Sequence, residues 1–209
     1  MKHYIFVFIV IISIVLPAFA AAGNPYEEYY ETYPMDEYVV GIGEAQASGN
    51  KYAVRRMTEV LARRDIASQI RVRTMEVSVD LMCGGSGAGD CKDTVVSIIE
   101  TSVDEFLRGS RVVDSGVRDG SAFTIVVMPK EGAVKTLETR IEGAAGVVKD
   151  DLAAARMGDR DALERARSNL MRARTYEIER QILEGVRTNA SNALNELQKE
   201  LDKLKADLK

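Results

Sequence analysis

The sequence has no tryptophan and one histidine, and it has few phenylalanines. The histidine is His3, and three of the five phenylalanines lie with it in the first twenty residues. A chain that loses this segment cannot build a Ser-His-Asp or Cys-His catalytic device, and it lacks the commonest zinc ligand. We therefore expect a non-enzymatic protein with an aliphatic, alanine-rich core and with neither a metal nor a cofactor.

The N-terminus has the features of a secretory signal peptide. Lys2-His3 precedes an apolar run from Tyr4 to Leu16, and Ala18-Phe19-Ala20 supplies the small-x-small pattern that signal peptidase cuts. The run is short for a membrane-spanning helix. We predict that residues 1–20 are removed, that the mature chain begins near Ala21, and that the protein is exported to the periplasm or associated with the outer membrane.

Charge gives no sign of a polyanionic partner such as DNA or RNA. The chain has 28 basic and 32 acidic residues, a formal net charge of −4. Nucleic-acid binding depends on neutralising phosphates with Lys and Arg, so we exclude it. We expect a second copy of the chain or an envelope protein as partner, with peripheral membrane association as a further possibility and no small-molecule substrate.

The two cysteines, Cys83 and Cys91, flank a glycine-rich stretch. In an oxidising compartment such a pair favours a disulfide, while the C-x-x-C spacing of redox motifs is absent. A redox or metal site is the alternative. Closing so short a loop stabilises by about 2–3 kcal/mol, so the bond is expected to hold a loop in place and not to create the fold.

Residues 21–35 include an acidic, tyrosine-rich segment with no repeating apolar face. Such compositions near a processed N-terminus are commonly disordered. We predict a flexible arm, and docking of its tyrosines to a partner is the alternative.

Residues 36–130 carry mixed helix and strand signals. They predict an α+β domain of order β-α-β-α-β-β, with a largely antiparallel sheet and helices on one face. The predicted elements are a strand at Val39–Ile42, a helix from Asn50 to about Gln69, a strand from Ile70 to Leu81 that changes phase near Thr74, a helix from Asp93 or Thr94 to Gly109, and hairpin strands at 111–117 and 121–128. Asp119-Gly120 between those strands is the strongest hairpin signal in the chain.

The first predicted helix is the most basic stretch of the sequence. Its candidate anion- or partner-binding residues are Arg55, Arg56, Arg63 and Arg64. They suit a lipid headgroup or a cell-wall polymer, whereas an ordinary solvated helix face is the alternative.

Residues 131–209 predict a helical hairpin broken at Gly158-Asp159, followed by a coiled-coil tail. The tail places leucines at a and d positions: Leu194, Leu197, Leu201, Leu204 and Leu208. Periodicity alone allows this seam to fold back on its own chain or to pair between chains. We favour pairing between chains, because a small sheet domain has little surface to cover so long a helix.

Three segments resemble a known family: Tyr38 to Ala45, the alanine-punctuated helix from Leu61 to Ile70, and the hairpin from Gly109 to Val127. They are similar to the LPP-type small bacterial envelope lipoproteins, whose members include the flagellar assembly protein P lipoprotein. The resemblance covers about residues 36–130 and implies a structural motif: a glycine strand end, small residues for close helix–sheet packing, and a hairpin.

The resemblance implies an envelope protein that builds or supports assemblies at the outer membrane, in some members in connection with the flagellum, and it implies no catalytic residue. The chain departs from the family pattern because it lacks the lipidation cysteine and adds the Cys83–Cys91 loop and a helical tail. We predict an exported, non-enzymatic structural or assembly protein that self-associates or binds a partner. The alternative is a module that binds an anionic envelope ligand through the basic helix.

Overall fold

The computed structural model describes residues 24–83, 88–186 and 191–207. The predicted signal peptide, the stretch 84–87 and Leu208 lie outside these ranges. The described chain is α+β, with helices at both ends and a small antiparallel sheet. Its elements are α1 (Glu27–Thr32), β1 (Tyr38–Gln46), α2 (Lys51–Met82), α3 (Ala88–Phe106), a 3₁₀ turn (Leu107–Gly109), β2 (Arg111–Arg118), β3 (Ser121–Pro129), α4 (Lys130–Arg156), α5 (Arg160–Glu184) and α6 (Asn192–Asp207).

The sheet has three strands in the order β1-β3-β2, and both pairings are antiparallel. The predicted hairpin is confirmed: β2 and β3 are joined at Asp119 and Gly120, whose φ angles are 50° and 81°. A two-residue turn with two positive φ angles matches the twist of its strands, which is why Asp-Gly is favoured there. β3 is the central strand, and Ala122 to Met128 are all buried.

β1 lies unusually close to α2 because Gly41 and Gly43 have no side chains. A Cβ atom on Gly41 would lie 2.2 Å from the carbonyl oxygen of Ala62, and one on Gly43 would lie 2.0 Å from that of Thr58. Ala62 and Thr58 are themselves fully buried. The two backbones therefore pack directly against each other, and no larger residue fits at either glycine.

Side chains of α2 also form hydrogen bonds with backbone groups of β1 that face away from β3. Asp65 accepts from the backbone N–H of Ile42 at 3.1 Å, and Gln69 donates to the carbonyl oxygen of Val40 at 2.9 Å. The outer edge of β1 is thus partly paired with a helix.

The predicted strand from Ile70 to Leu81 is wrong, because these residues continue α2 to Met82. The buried positions of this half of the helix include Ile70, Thr74 and Ser78 at four-residue spacing, and Thr74 donates to the carbonyl oxygen of Ile70. Two of the three are small polar residues, so the sequence pattern did not identify this inward face of the helix as apolar. The order of elements in residues 36–130 is consequently β-α-α-β-β and not the predicted β-α-β-α-β-β.

The second face of the sheet is covered by the segment that we predicted to be a flexible arm. Tyr26 is 6% exposed and its hydroxyl hydrogen-bonds to Glu44, while that of Tyr29 hydrogen-bonds to Asp114. The guanidinium of Arg118 lies 5.2 Å from the ring centroid of Tyr26. The arm folds onto the sheet because its tyrosines pack on an apolar face that is otherwise uncovered. The prediction that the sheet is covered on one face only is therefore wrong, because the arm covers the other face.

The tail folds back on its own chain. The predicted break is confirmed, with Asp159 capping α5 by accepting from the N–H groups of Asp161 and Ala162. α4, α5 and α6 form a bundle whose buried cluster contains Leu194, Leu197 and Leu201. These leucines face Val148, Leu152 and Leu170 and similar residues of α4 and α5, and Leu204 packs at the margin. The preference for pairing between chains is therefore not supported, because this seam is already filled.

The close contact of β1 with α2 predicts the effect of two glycine substitutions, and a third substitution in α4 is the control. Gly41→Ala and Gly43→Ala should each lower the free energy of unfolding by about 1–3 kcal/mol or more, because the added methyl overlaps backbone atoms. Gly143→Ala in α4 meets no atom within 4 Å and should raise it by about 0.5–1 kcal/mol. Urea denaturation measures all three. A Gly43→Ala protein as stable as Gly143→Ala would contradict this packing.

Candidate binding surfaces

A groove of about 590 Å³ lies between the C-terminal end of α2, the first turns of α3 and the helices α5 and α6. Apolar side chains line part of the groove: Leu81, Met82, Leu163, Leu170, Met171 and Leu201. Charged side chains of both signs line the rest of it: Glu164, Arg167, Arg174, Asp202 and Lys205. The volume falls in the range of ligand-binding clefts. We call this surface the disulfide groove.

The name reflects the Cys83–Cys91 disulfide, which lines the groove and confirms the predicted bond. Cys83 is the residue at which α2 ends, and Cys91 lies in the first turns of α3. The bond holds two helix ends together with a Cα–Cα distance of 5.8 Å. It therefore positions one wall of the groove as well as closing a loop.

Arg174 is the half-buried cation of the groove. Its Nη2 donates to Asn195 at 3.4 Å, whereas its Nε is buried and has no hydrogen-bond partner among the described residues. Burial lowers the pKa of this guanidinium, and the charge of Asp202 acts against that shift. The groove therefore combines apolar side chains with a half-buried cation.

The four predicted arginines of α2 do not form one site. Arg63 donates to the carbonyl oxygen of Leu107 at 3.0 Å and pairs with Glu59 at 3.1 Å, so it ties α2 to the 3₁₀ turn. Arg55, Arg56 and Arg64 are exposed. The structure thus removes Arg63 from the candidate set and leaves the other three on the surface.

A buried carboxyl group, Glu179, lies between α3 and α5. Ser102 donates to its Oε1, and its Oε2 has no partner among the described residues. Burial raises the pKa of Glu179 to about 8, although the hydrogen bond from Ser102 and the charge of Arg140 oppose the shift. Glu179 does not line the disulfide groove, so we assign it to the packing of the helices.

Neither the groove nor the burial of Glu179 has a local signal in the sequence. The groove joins residues near positions 81–91, 163–174 and 198–205, which only tertiary packing brings together. Glu179 resembles any other charge on a helix that is rich in Arg and Glu. Its burial follows from the docking of α5 against α3, which periodicity does not reveal.

The raised pKa of Glu179 predicts a pH-dependent stability difference. The folded state keeps a proton up to about pH 8 that the unfolded chain releases above its ordinary pKa of 4.5. Between these values the free energy of unfolding loses up to about 1.4 kcal/mol per pH unit from this group. Glu179→Gln removes that loss, so the variant should resemble the parent near about pH 4 and exceed it by a few kcal/mol near about pH 8.

Urea unfolding of both proteins across this pH range checks the prediction. A stability difference that stays constant with pH would contradict a neutral buried carboxyl group.

In the part of the chain that the structure describes, no helix is long and apolar enough to cross a membrane. Over residues 24–83, 88–186 and 191–207, no group of three or more His, Cys, Asp or Glu side chains is placed to hold a metal ion. No protein-family model matches the chain, and no curated protein sequence matches it either.

Proposed function

We propose that this chain is an exported cell-envelope protein that acts by binding a protein partner in the disulfide groove, without catalysing a reaction. The observation that carries the proposal is the Cys83–Cys91 bond in the groove wall. Disulfides persist in oxidising compartments, which agrees with the signal-like sequence of residues 1–20. The lack of any histidine after His3 supports a role without acid–base catalysis at imidazole.

The lining of the groove favours a polypeptide ligand. Glu164 and Asp202 line the groove together with Arg167 and Lys205, and their negative charges disfavour a small anion. A peptide segment with apolar side chains and charges of both signs complements such a surface, since protein interfaces combine apolar contacts with polar ones. We therefore place partner binding at this groove and no longer at the tail leucines, which are buried in the bundle.

The proposal predicts where the protein is found and in which redox state. In its native cell the chain should lie outside the cytosol, begin near Ala21, and resist thiol alkylation until it is reduced. Cell fractionation, mass spectrometry and alkylation under denaturing conditions measure these properties. An intact chain in the cytosol with both cysteines free to react would overturn the proposal.

Site-specific photo-crosslinking tests the groove itself. A photoreactive amino acid at Glu164, an exposed residue that lines the groove, should give one defined crosslinked product in intact envelopes. The same amino acid at Lys149, an exposed position on α4 outside the groove, is the matched control and should give none. Equal products at both positions, or no product at Glu164, would remove partner binding from the groove.

A further inference from the structure

The N-terminal half of α2 presents a second surface, opposite the sheet. Thr58, Ala62 and Ile66 face inward and are fully buried. The other side exposes large apolar side chains: Tyr52 is 83% exposed, Val60 63% and Met57 56%. Tyr52 and Val60 are two turns apart and Met57 precedes Val60 by three residues, so the three lie on one side of the helix.

Exposed arginines surround these apolar side chains. Arg56 lies between Tyr52 and Val60 in the same row of the helix, and Arg64 follows Val60 by one turn. Arg55 is also exposed, and none of the three arginines forms an ion pair within the described part of the chain. The nearby carboxylate of Glu59 is neutralised by Arg63 at 3.1 Å. We call this surface, defined by Tyr52, Arg56, Met57, Val60 and Arg64, the α2 patch.

A second copy of the chain does not suit the α2 patch. If two copies paired through the α2 patch, Arg56 and Arg64 of one copy would lie against the same residues of the other. Like charges in direct contact repel each other. Three apolar side chains also cover far less than the roughly 1,200–2,000 Å² that a stable protein interface buries. The patch therefore calls for an anionic surface that accepts shallow apolar contacts.

We propose that the α2 patch docks the exported protein on an anionic lipid bilayer surface, with Tyr52, Met57 and Val60 entering the interface and Arg56 and Arg64 meeting lipid phosphates. Interfacial helices combine apolar side chains on one side with flanking Arg or Lys residues in this way. The net charge of −4 does not prevent the contact, because charges beyond about 10 Å are largely screened at about 0.1 M salt. This surface is separate from the disulfide groove and does not depend on a partner there.

Vesicle cosedimentation of chain 21–209 tests the proposal, since this chain keeps every described residue and omits the apolar N-terminal run. Vesicles of phosphatidylglycerol and phosphatidylethanolamine should bind the protein, and pure phosphatidylcholine vesicles should bind it at least about tenfold more weakly. Arg56→Gln with Arg64→Gln should weaken binding about 25-fold, because each basic residue near an anionic surface contributes about fivefold. Met57→Ser with Val60→Ser should weaken it about tenfold through lost apolar contact.

Matched controls lie elsewhere on the surface. Lys135→Gln with Lys149→Gln removes two exposed charges from α4, and Met157→Ser with Val186→Ser removes an exposed methionine and valine. Both control proteins should bind vesicles like the parent, and circular dichroism should show the same helix content in all variants.

Three results would overturn the proposal. One is the absence of binding to anionic vesicles, including the case in which an acidic protein binds the patch instead. The second is equal weakening by the control pairs. The third is that only the arginine substitutions weaken vesicle binding, that the Met57 and Val60 substitutions do not, and that inorganic phosphate competes with the vesicles. That result would indicate a phosphate site without membrane contact.

Discussion

The direct contact between the backbones of β1 and α2 determines how the longest helix of the described chain lies on the sheet. Gly41 and Gly43 allow this approach, and Thr58 and Ala62 supply the facing helix surface. Because α2 is a single helix of 32 residues, its placement on the sheet also directs its far end, where Cys83 is bonded to α3. The same far half of α2 packs with α3 and α5. A separation of one methyl group at the glycines would therefore also displace the far end of α2, about 30 Å along the helix, where it lines the groove.

Local signals predicted the elements whose geometry is decided locally. Asp119-Gly120 requires two positive φ angles, Asp159 offers a side-chain cap, and the two cysteines are close in sequence. Prediction failed where a tertiary surface decides the outcome. In α2, the inward positions Thr74 and Ser78 are polar, so the sequence shows no apolar helix face there. The alternating apolar residues suggested a strand instead, but two of them, Val72 and Leu81, are each 60% exposed. The folding of the tyrosine arm likewise depends on an apolar sheet face that forms only in the tertiary structure.

The candidate surfaces were predictable to different degrees. The basic character of α2 is visible in the sequence, but the sequence does not show that Arg63 binds the 3₁₀ turn and Glu59 while its neighbours point to solvent. The disulfide was predicted and its role as a groove wall was not. The tail leucines were recognised as a seam, yet periodicity could not identify α4 and α5 as the surface that fills it. Long-range packing, which has no local signature, decides each of these cases.

The pairing of β1 with α2 side chains has a consequence for how the sheet meets other chains. An open strand edge offers unpaired N–H and C=O groups as a template for intermolecular β-sheet growth and aggregation. On β1, Asp65 and Gln69 occupy groups of Ile42 and Val40, so an incoming strand would have to break those bonds first. On β2, the irregular register between Val112 and Asp114 interrupts the regular ladder. Both features oppose the addition of a fourth strand to this small sheet.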